Sequence, residues 1–385
     1  MTSNQAAHEE RPEGRAEERA QERRTPLDAV HDALGATMTD FAGWRMPLRY
    51  GSESAEHRAV REAAGLFDLT HMGEIAVTGP EAAQALDHAL VGFISKIGVD
   101  RARYTMICDA DGGILDDLIV YRTGETEYLV VANASNAPLV AAELTARAAG
   151  FDAVVTDRSA DYALLAVQGP HAVAILAPLT DLDLAQVKYY AADRAVVAGV
   201  DVLLARTGYT GEDGFELFCA PADAKRLWTS LAEVGTEHGM IPAGLSCRDT
   251  LRLEAGMPLY GHELTTSVTP YEANLGRVVR LDKPEDFVGR DALAAREKEG
   301  PRATLVGLRS PGRRVPRAGY AVLDPATKQP VGEVTSGAPS PTLGAPIAMA
   351  YVPLEHAEPG TRLAIDIRGT AEPVEVVALP FYKRQ

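Results

Sequence analysis

From about residue 303 onward every apolar run is short, and every gap between runs holds Pro or Gly. ATLVGLRS, GYAVLD, VGEVTS, PIAMAYV, TRLAIDIRG and VEVVAL are six such runs, and none carries the 3.6-residue apolar spacing of an amphipathic helix. A stretch of this kind closes into a small antiparallel β-barrel or packs as a sandwich. The chain before it reads differently, so at least two architectures share one polypeptide.

Upstream, strand and helix signals mix. Thr25-Pro26 reads as a helix start, and a second helix is expected from Ser54 to Ala64, closed by Gly65. EIAVT (74–78) alternates like a strand, and Pro80 opens a helix through Leu90. RYTMIC (103–108), ILDDLIVYR (114–122) and YLVVAN (128–133) are strands joined by the turns DADGG and TGETE. Ser135 is a candidate N-cap for a helix ending at Gly150. YALLAVQG (162–169), VDVLLART (200–207) and FELFCA (215–220) read as strands; PHAVAILAPL and segments near 222–239 and 246–255 read as helices. Because the order is not strictly βαβ, the expected class is α+β rather than a doubly wound parallel sheet. The charged stretch near 283–302, ending in Gly300-Pro301, marks the expected boundary. The expected units are a disordered tail over 1–24, an α+β unit of two lobes over 25–285, and the barrel over 300–385.

Charge narrows the partners. Lys plus Arg is 38 against 54 Asp plus Glu, a net charge of −16 over 385 residues. Nonspecific binding to nucleic acid or to an anionic membrane is disfavoured, and an anionic ligand needs a local basic cluster. No run approaches the ~18 uncharged apolar residues of a spanning helix. Cys108, Cys219 and Cys247 form no Cys-x-x-Cys pair, which argues against a disulfide framework or a zinc site and for a reducing compartment. Residues 1–24 hold six Glu and no apolar segment, unlike a signal or transit peptide, so a cytoplasmic location is expected.

There is no GxxxxGK[ST], no GxGxxG after a strand and no HExxH. Three segments stand out instead. In ILDDLIV, Asp116 and Asp117 must point to opposite faces of a strand, each among apolar neighbours. Taken alone, one facing solvent and the other pairing with a base is the more economical account. RTGYTGEDGFEL (206–217) has three glycines for a tight loop, then Glu216 on a strand; by itself it reads equally as a Gly-rich hairpin. In GLSCRDTLRLEAGMPLYGHE (244–263), Arg248 and Arg252 share a helix face, either paired with nearby acids or forming the cluster an anionic ligand needs.

These three segments, in this order, resemble the aminomethyltransferase (T-protein) family of the glycine cleavage system. DFAGWRMPLRYG (40–51), FDLTHMGEI (67–75), LAVQGP (165–170), FVGRDAL (287–293) and TSGAPSPTLG (335–344) agree, so the resemblance runs from about Thr25 to Phe381. It implies three lobes in a cloverleaf around a central folate channel, the last a β-barrel. It implies transfer of an aminomethyl carbon from the lipoyl arm of H-protein to tetrahydrofolate. The products would be 5,10-methylenetetrahydrofolate, ammonia and the reduced lipoyl arm, with no metal required.

Carried over residue by residue, the resemblance makes Asp116 the catalytic carboxylate, beside the folate N5 and N10. Glu216 becomes the pterin-binding acid and Arg248 the folate-binding arginine. Asn133 and Tyr104 join them, with Tyr382, Lys383 and Arg384 as candidates for the C-terminal contact. A pterin edge offers N–H donors that a carboxylate accepts, and a folate tail is anionic, so these residue types suit those roles. Two departures stand out: Thr70 where many members have Ser, and Arg277 where many have Trp, which removes an expected aromatic wall. Folate-binding iron–sulfur assembly factors carry a Lys-Gly-Cys motif where this chain reads Gly256-Met257-Pro258-Leu259-Tyr260-Gly261. Dimethylglycine and sarcosine dehydrogenases add a flavin domain for which this chain has no fingerprint. A related sulfoniopropionate demethylase, which shares the fold, is the alternative that the sequence least excludes.

Overall fold

The computed structural model describes residues 22–384. The first lobe is a five-stranded antiparallel sheet in the order Arg101–Cys108, Ile114–Gly124, Glu127–Ala132, Gly73–Thr78, Val154–Asp157. Helices Ala82–Ala89 and Ala137–Arg147 cover one face, burying Ile75, Val77, Leu118, Val120 and Val130 beneath Leu86, Val140 and Leu144. The second lobe is a six-stranded sheet in the order Ala192–Val197, Val200–Ala205, Gly214–Cys219, Ala163–Gln168, Ala64–Asp68, Met240–Pro242. Only its last pairing is parallel. Helices Ala172–Leu176 and Ala224–Glu237 cover one face, with Leu165, Val167, Phe215 and Leu217 under Leu227, Trp228 and Leu231.

The other two faces meet. Tyr121, Leu129 and Val131 of the first sheet pack against Phe67, Leu164, Ala166 and Phe218 of the second, with Cys247 and Leu251 of helix Leu245–Glu254 closing the layer. The period-2 alternation of each strand therefore has two destinations, its own lobe's core and the interface between lobes.

The third unit is a closed barrel in the order Ala303–Arg309, Ala345–Pro353, Pro330–Ser340, Ala321–Leu323, Arg362–Ile367, Thr370–Val377. Leu308, Val334, Ala350, Ile365 and Val376 fill it. The class is α+β with a C-terminal antiparallel barrel, as the alternation of strands and turns implied. Buried charge fastens the barrel to the lobes. Glu254, fully enclosed, accepts from His57 Nε2 (3.0 Å), Arg61 Nε and Nη2 (3.1 and 3.0 Å), Thr342 N and Oγ1 (3.2 and 2.8 Å) and Ser340 Oγ. Burial works against that charge, but these donors and the His57 charge outweigh it and hold the carboxyl down to about 2.

Several local expectations differ from the structure. Gly65 does not cap the helix Glu53–Glu62; it lies within strand Ala64–Asp68, where a Cβ would stand 2.5 Å from Val60 Cγ2. Close approach, not a left-handed turn, is what the glycine serves. Thr25 caps a turn rather than the helix: its Oγ1 accepts from Leu27 N (3.2 Å), and the helix runs Asp28–Ala33. Asn136, not Ser135, occupies the N-cap position of Ala137–Arg147. The 283–302 stretch contains the helix Arg290–Glu299. The tail assigned to 1–24 is shorter at its end, because Arg23–Arg24 pairs in parallel with Trp44 and Arg45; residues 1–21 lie outside the described residues. Thr37–Phe41 completes this small sheet with Trp44–Arg49. No helix among the described residues is long and apolar enough to cross a membrane.

Candidate functional site

Strand Ile114–Gly124 decides which carboxylate faces the interface. Leu118 and Val120 belong to the first lobe's core, and Asp116 shares their parity. Tyr121 and Ile119 belong to the interface, and Asp117 shares theirs. The residue assigned as catalytic, Asp116, is therefore fully buried on the core side. Its Oδ2 accepts from Asn133 N (3.0 Å), and its Oδ1 from Asn133 Nδ2 (2.8 Å) and Asn136 Nδ2 (2.9 Å). Burial and the Asp117 charge beside it lift Asp116 to about 7. Asp117 is half-buried on the opposite face. Its Oδ2 accepts from Tyr104 Oη (3.0 Å) and its Oδ1 from Asn133 Nδ2 (2.8 Å); burial raises this carboxyl too. Asn133 thus spends its amide on both carboxylates and orients them.

The second sheet supplies Glu216 by the same alternation. Its neighbours Phe215 and Leu217 face their own core, so Glu216 faces the interface with Phe218. Glu216 Oε2 accepts from Thr207 Oγ1 (2.5 Å) and from Tyr121 Oη (3.2 Å), the latter reaching across from the other lobe. Among the described residues Oε1 accepts no hydrogen bond and is not enclosed, so it stays free for a donor. Tyr121 and Thr207 were not anticipated; the signal for Tyr121 was its parity with Asp117.

The two helix arginines have separate fates. Arg252 is almost fully enclosed and spent on Glu263 (2.8 Å), Asp249 (2.8 Å) and Ser336 Oγ (2.8 Å). Arg248 forms no ion pair with an acid among the described residues. Its guanidinium lies over the Tyr209 ring at 4.7 Å, and burial lowers its pKa, partly offset by Tyr209 and Glu216. Tyr209 is pinned by donating to Pro258 O. Tyr190, in the electrostatic field of Asp117 and Glu216, stacks edge-on with Tyr189 at 4.9 Å. The side chains thus run from Asp117 to an open cavity of about 650 Å³ whose lining includes Arg61, Tyr189, Arg206, Glu212, Asp213 and Tyr382.

Lys383 and Arg384 stand exposed at this cavity. Arg384 lies 3.7 Å from Asp213, and Tyr382 carries the Arg61 guanidinium over its ring at 4.0 Å. Arg277 is exposed in the turn Gly276–Val278; five tyrosines, 104, 121, 189, 190 and 209, furnish the aromatic side of the cluster. Thr70 is buried, its Oγ1 accepting from Leu164 N (3.1 Å), a role serine could also fill. Among the described residues no group of His, Cys, Asp and Glu is arranged to hold a metal ion.

Comparison with known proteins agrees with this architecture. Residues 27–283 match the model of the GCVT N-terminal domain, and residues 304–383 that of the glycine cleavage T-protein C-terminal barrel domain. The aminomethyltransferase of Saccharopolyspora erythraea is 68% identical over 362 residues, 94% of this chain and 98% of the relative. That of Streptomyces avermitilis is 67% identical over 367 residues, at the same coverage. The crystal structure of glycine cleavage system aminomethyltransferase T from Bartonella henselae superposes with a TM-score of 0.88 at 37% identity, over 94% of this chain and 98% of that one. With both its lobes and its barrel matched, the chain belongs to the glycine cleavage T-protein family of aminomethyltransferases.

Proposed function

We propose that the chain transfers the aminomethyl carbon from the lipoyl arm of H-protein to tetrahydrofolate. The products are 5,10-methylenetetrahydrofolate, ammonia and dihydrolipoyl H-protein, and the reaction takes place in the cytoplasm. The lobes over 25–285 hold the folate, and the barrel over 300–385 closes the site. One observation carries the reading. Two lobes present an acid, Asp117, and a half-free acceptor, Glu216, to one interface, beside an arginine that no protein acid among the described residues pairs.

Glu216 Oε1 accepts N–H groups of the pterin edge while Tyr121 and Thr207 hold Oε2 in place. Arg248 attracts an anionic or carbonyl oxygen of the ligand; Tyr209 fixes its plane. Lys383 and Arg384 meet the anionic tail at the cavity mouth, set against the mean field of −16. Asp117 stands where positive charge develops as ammonia departs. Fixed by Tyr104 and Asn133, it stabilises that charge and takes the proton that a folate N–H gives up as the new C–N bond forms. It returns that proton to the amine, which leaves as ammonia while the lipoyl sulfur leaves as the thiol. We assign this role to Asp117 rather than to Asp116 on the strength of its facing onto the interface between the lobes; in this reading Asp116 holds Asn133 in position.

Incubation with tetrahydrofolate and aminomethylated H-protein should release ammonia and methylenetetrahydrofolate in equal amounts; absence of both would defeat the reading. Arg248→Ala should raise the tetrahydrofolate dissociation constant about ten- to a hundredfold, as for loss of a charge-assisted hydrogen bond. Calorimetric titration measures it.

A further inference from the structure

His71 is a polar side chain with unspent hydrogen-bonding capacity, flanked by Leu69 and Met72, which pack in the layer between the lobes with Tyr121 and with Cys247 and Leu251 of the helix that carries Arg248. It follows strand Ala64–Asp68 in a turn held by Thr70 N on Asp68 Oδ1 (3.0 Å) and Met72 N on Leu69 O (3.0 Å). The ring is only 3% exposed and packs edge-to-face with Phe41 at 5.3 Å and 89°, which restricts its rotation. Among the described residues its Nδ1 is enclosed without a partner. Its Nε2 is not enclosed in that way, and it bonds to nothing among the described residues. An enclosed lone pair costs less to leave unmet than an enclosed N–H, so the proton belongs on Nε2. The charges felt at the ring are those of Asp68, at the end of the preceding strand, and Arg248, on helix Leu245–Glu254. Burial first, and then Arg248, keep the imidazole neutral, pushing its pKa down to about 3. The ring is therefore poorly suited to proton transfer and well suited to donating a fixed hydrogen bond. The field of Arg248 favours an oxygen acceptor and repels an amine cation.

We propose that His71, through Nε2–H, is a ligand-binding residue that works beside Arg248 on one oxygen acceptor of the bound folate. Resting on the folate reading above, this adds a second donor to the same site. The acceptor is either a glutamyl carboxylate or a carbonyl of the pterin–benzoyl portion, and two ligands separate these sources.

His71→Phe keeps an aromatic ring against Phe41 and removes both nitrogens; His71→Gln keeps a donor at similar reach. Each is titrated calorimetrically with tetrahydrofolate and with tetrahydropteroate, which lacks the glutamate, alongside thermal melts. His71→Phe should weaken tetrahydrofolate binding about tenfold with its melt within a degree or so of the parent, and His71→Gln should recover most of the loss. A loss confined to tetrahydrofolate assigns the carboxylate; an equal loss with tetrahydropteroate assigns the carbonyl. The affinity ratio of parent to His71→Phe should be flat between about pH 5.5 and 8, since the donor is neutral throughout. Parent-like binding by His71→Phe overturns the proposal, as does a loss that only follows a lowered melt or a ratio that falls through about pH 6.5. If the parent itself takes up no tetrahydrofolate, the folate reading fails as well, which is a different result from parent binding matched by the variant.

Discussion

Replacing each aspartate of the Asp116–Asp117 pair by asparagine should have opposite consequences. Around Asp116 both oxygens receive donors: Asn133 N on one, the amides of Asn133 and Asn136 on the other. Whichever way a new amide turns at this position, its NH2 faces an N–H group with no acceptor between them. At least one buried donor is left unmet, at about 1–3 kcal/mol. Asp116→Asn should therefore lower stability by that amount, while turnover of the surviving folded protein falls only modestly. Around Asp117 the amide oxygen can keep Asn133 Nδ2, and the NH2 can donate to Tyr104, whose hydroxyl turns to accept. Stability should change by less than about 1 kcal/mol, whereas loss of the carboxylate should cost about 10²–10⁴ in turnover. Denaturant melts and single-turnover ammonia release, run on both variants, decide the matter. A dead but folded Asp116→Asn with an active Asp117→Asn would refute the facing drawn from strand parity.

Glu254→Gln should destabilise by about 3–5 kcal/mol, because His57 and Arg61 lose their buried partner. Since Glu254 is held down to about 2, its contribution is fully present above about pH 4.5 and is lost as pH falls toward 2; the variant's acid melting curve should be correspondingly flatter. Deleting residues 1–21 should leave the melting temperature unchanged. Deleting 1–24 should lower it by about 2–4 °C, because Arg23 donates its N–H to Gly43 O and stacks its guanidinium on Trp44 at 4.6 Å. Scanning calorimetry of the two truncations tests this.

Much of the molecule could be read from local pattern. The six short runs after 303 became a closed barrel, and the hairpin unit 103–133 became three adjacent strands. What escaped were features set by distant partners. Ala192–Val197 and Met240–Pro242 are strands because a sheet edge receives them, and their own sequences alternate weakly. Gly65 looked like a helix stop, yet its use depends on Val60 packing over a strand. For the candidate site, alternation correctly separated Asp116 from Asp117. Which face looks onto the other lobe depends on where Leu118 and Tyr121 are buried, and that is a tertiary fact. Likewise Tyr121 and Glu216, 95 positions apart, meet only once both sheets are stacked.

The Glu254 junction also bears on synthesis. Ser340 follows Glu254 by 86 residues, and Thr342 by 88. At about 5–20 residues per second, the ribosome delivers these donors roughly 4–17 s after the carboxylate. Throughout that interval Glu254 has His57 and Arg61 as partners but lacks the Ser340 and Thr342 donors, so water must stand in for them at this corner. A chaperone would meet the open corner, and a chain released before the barrel is complete would carry it permanently. The barrel, made last, thereby supplies the donors that complete this junction.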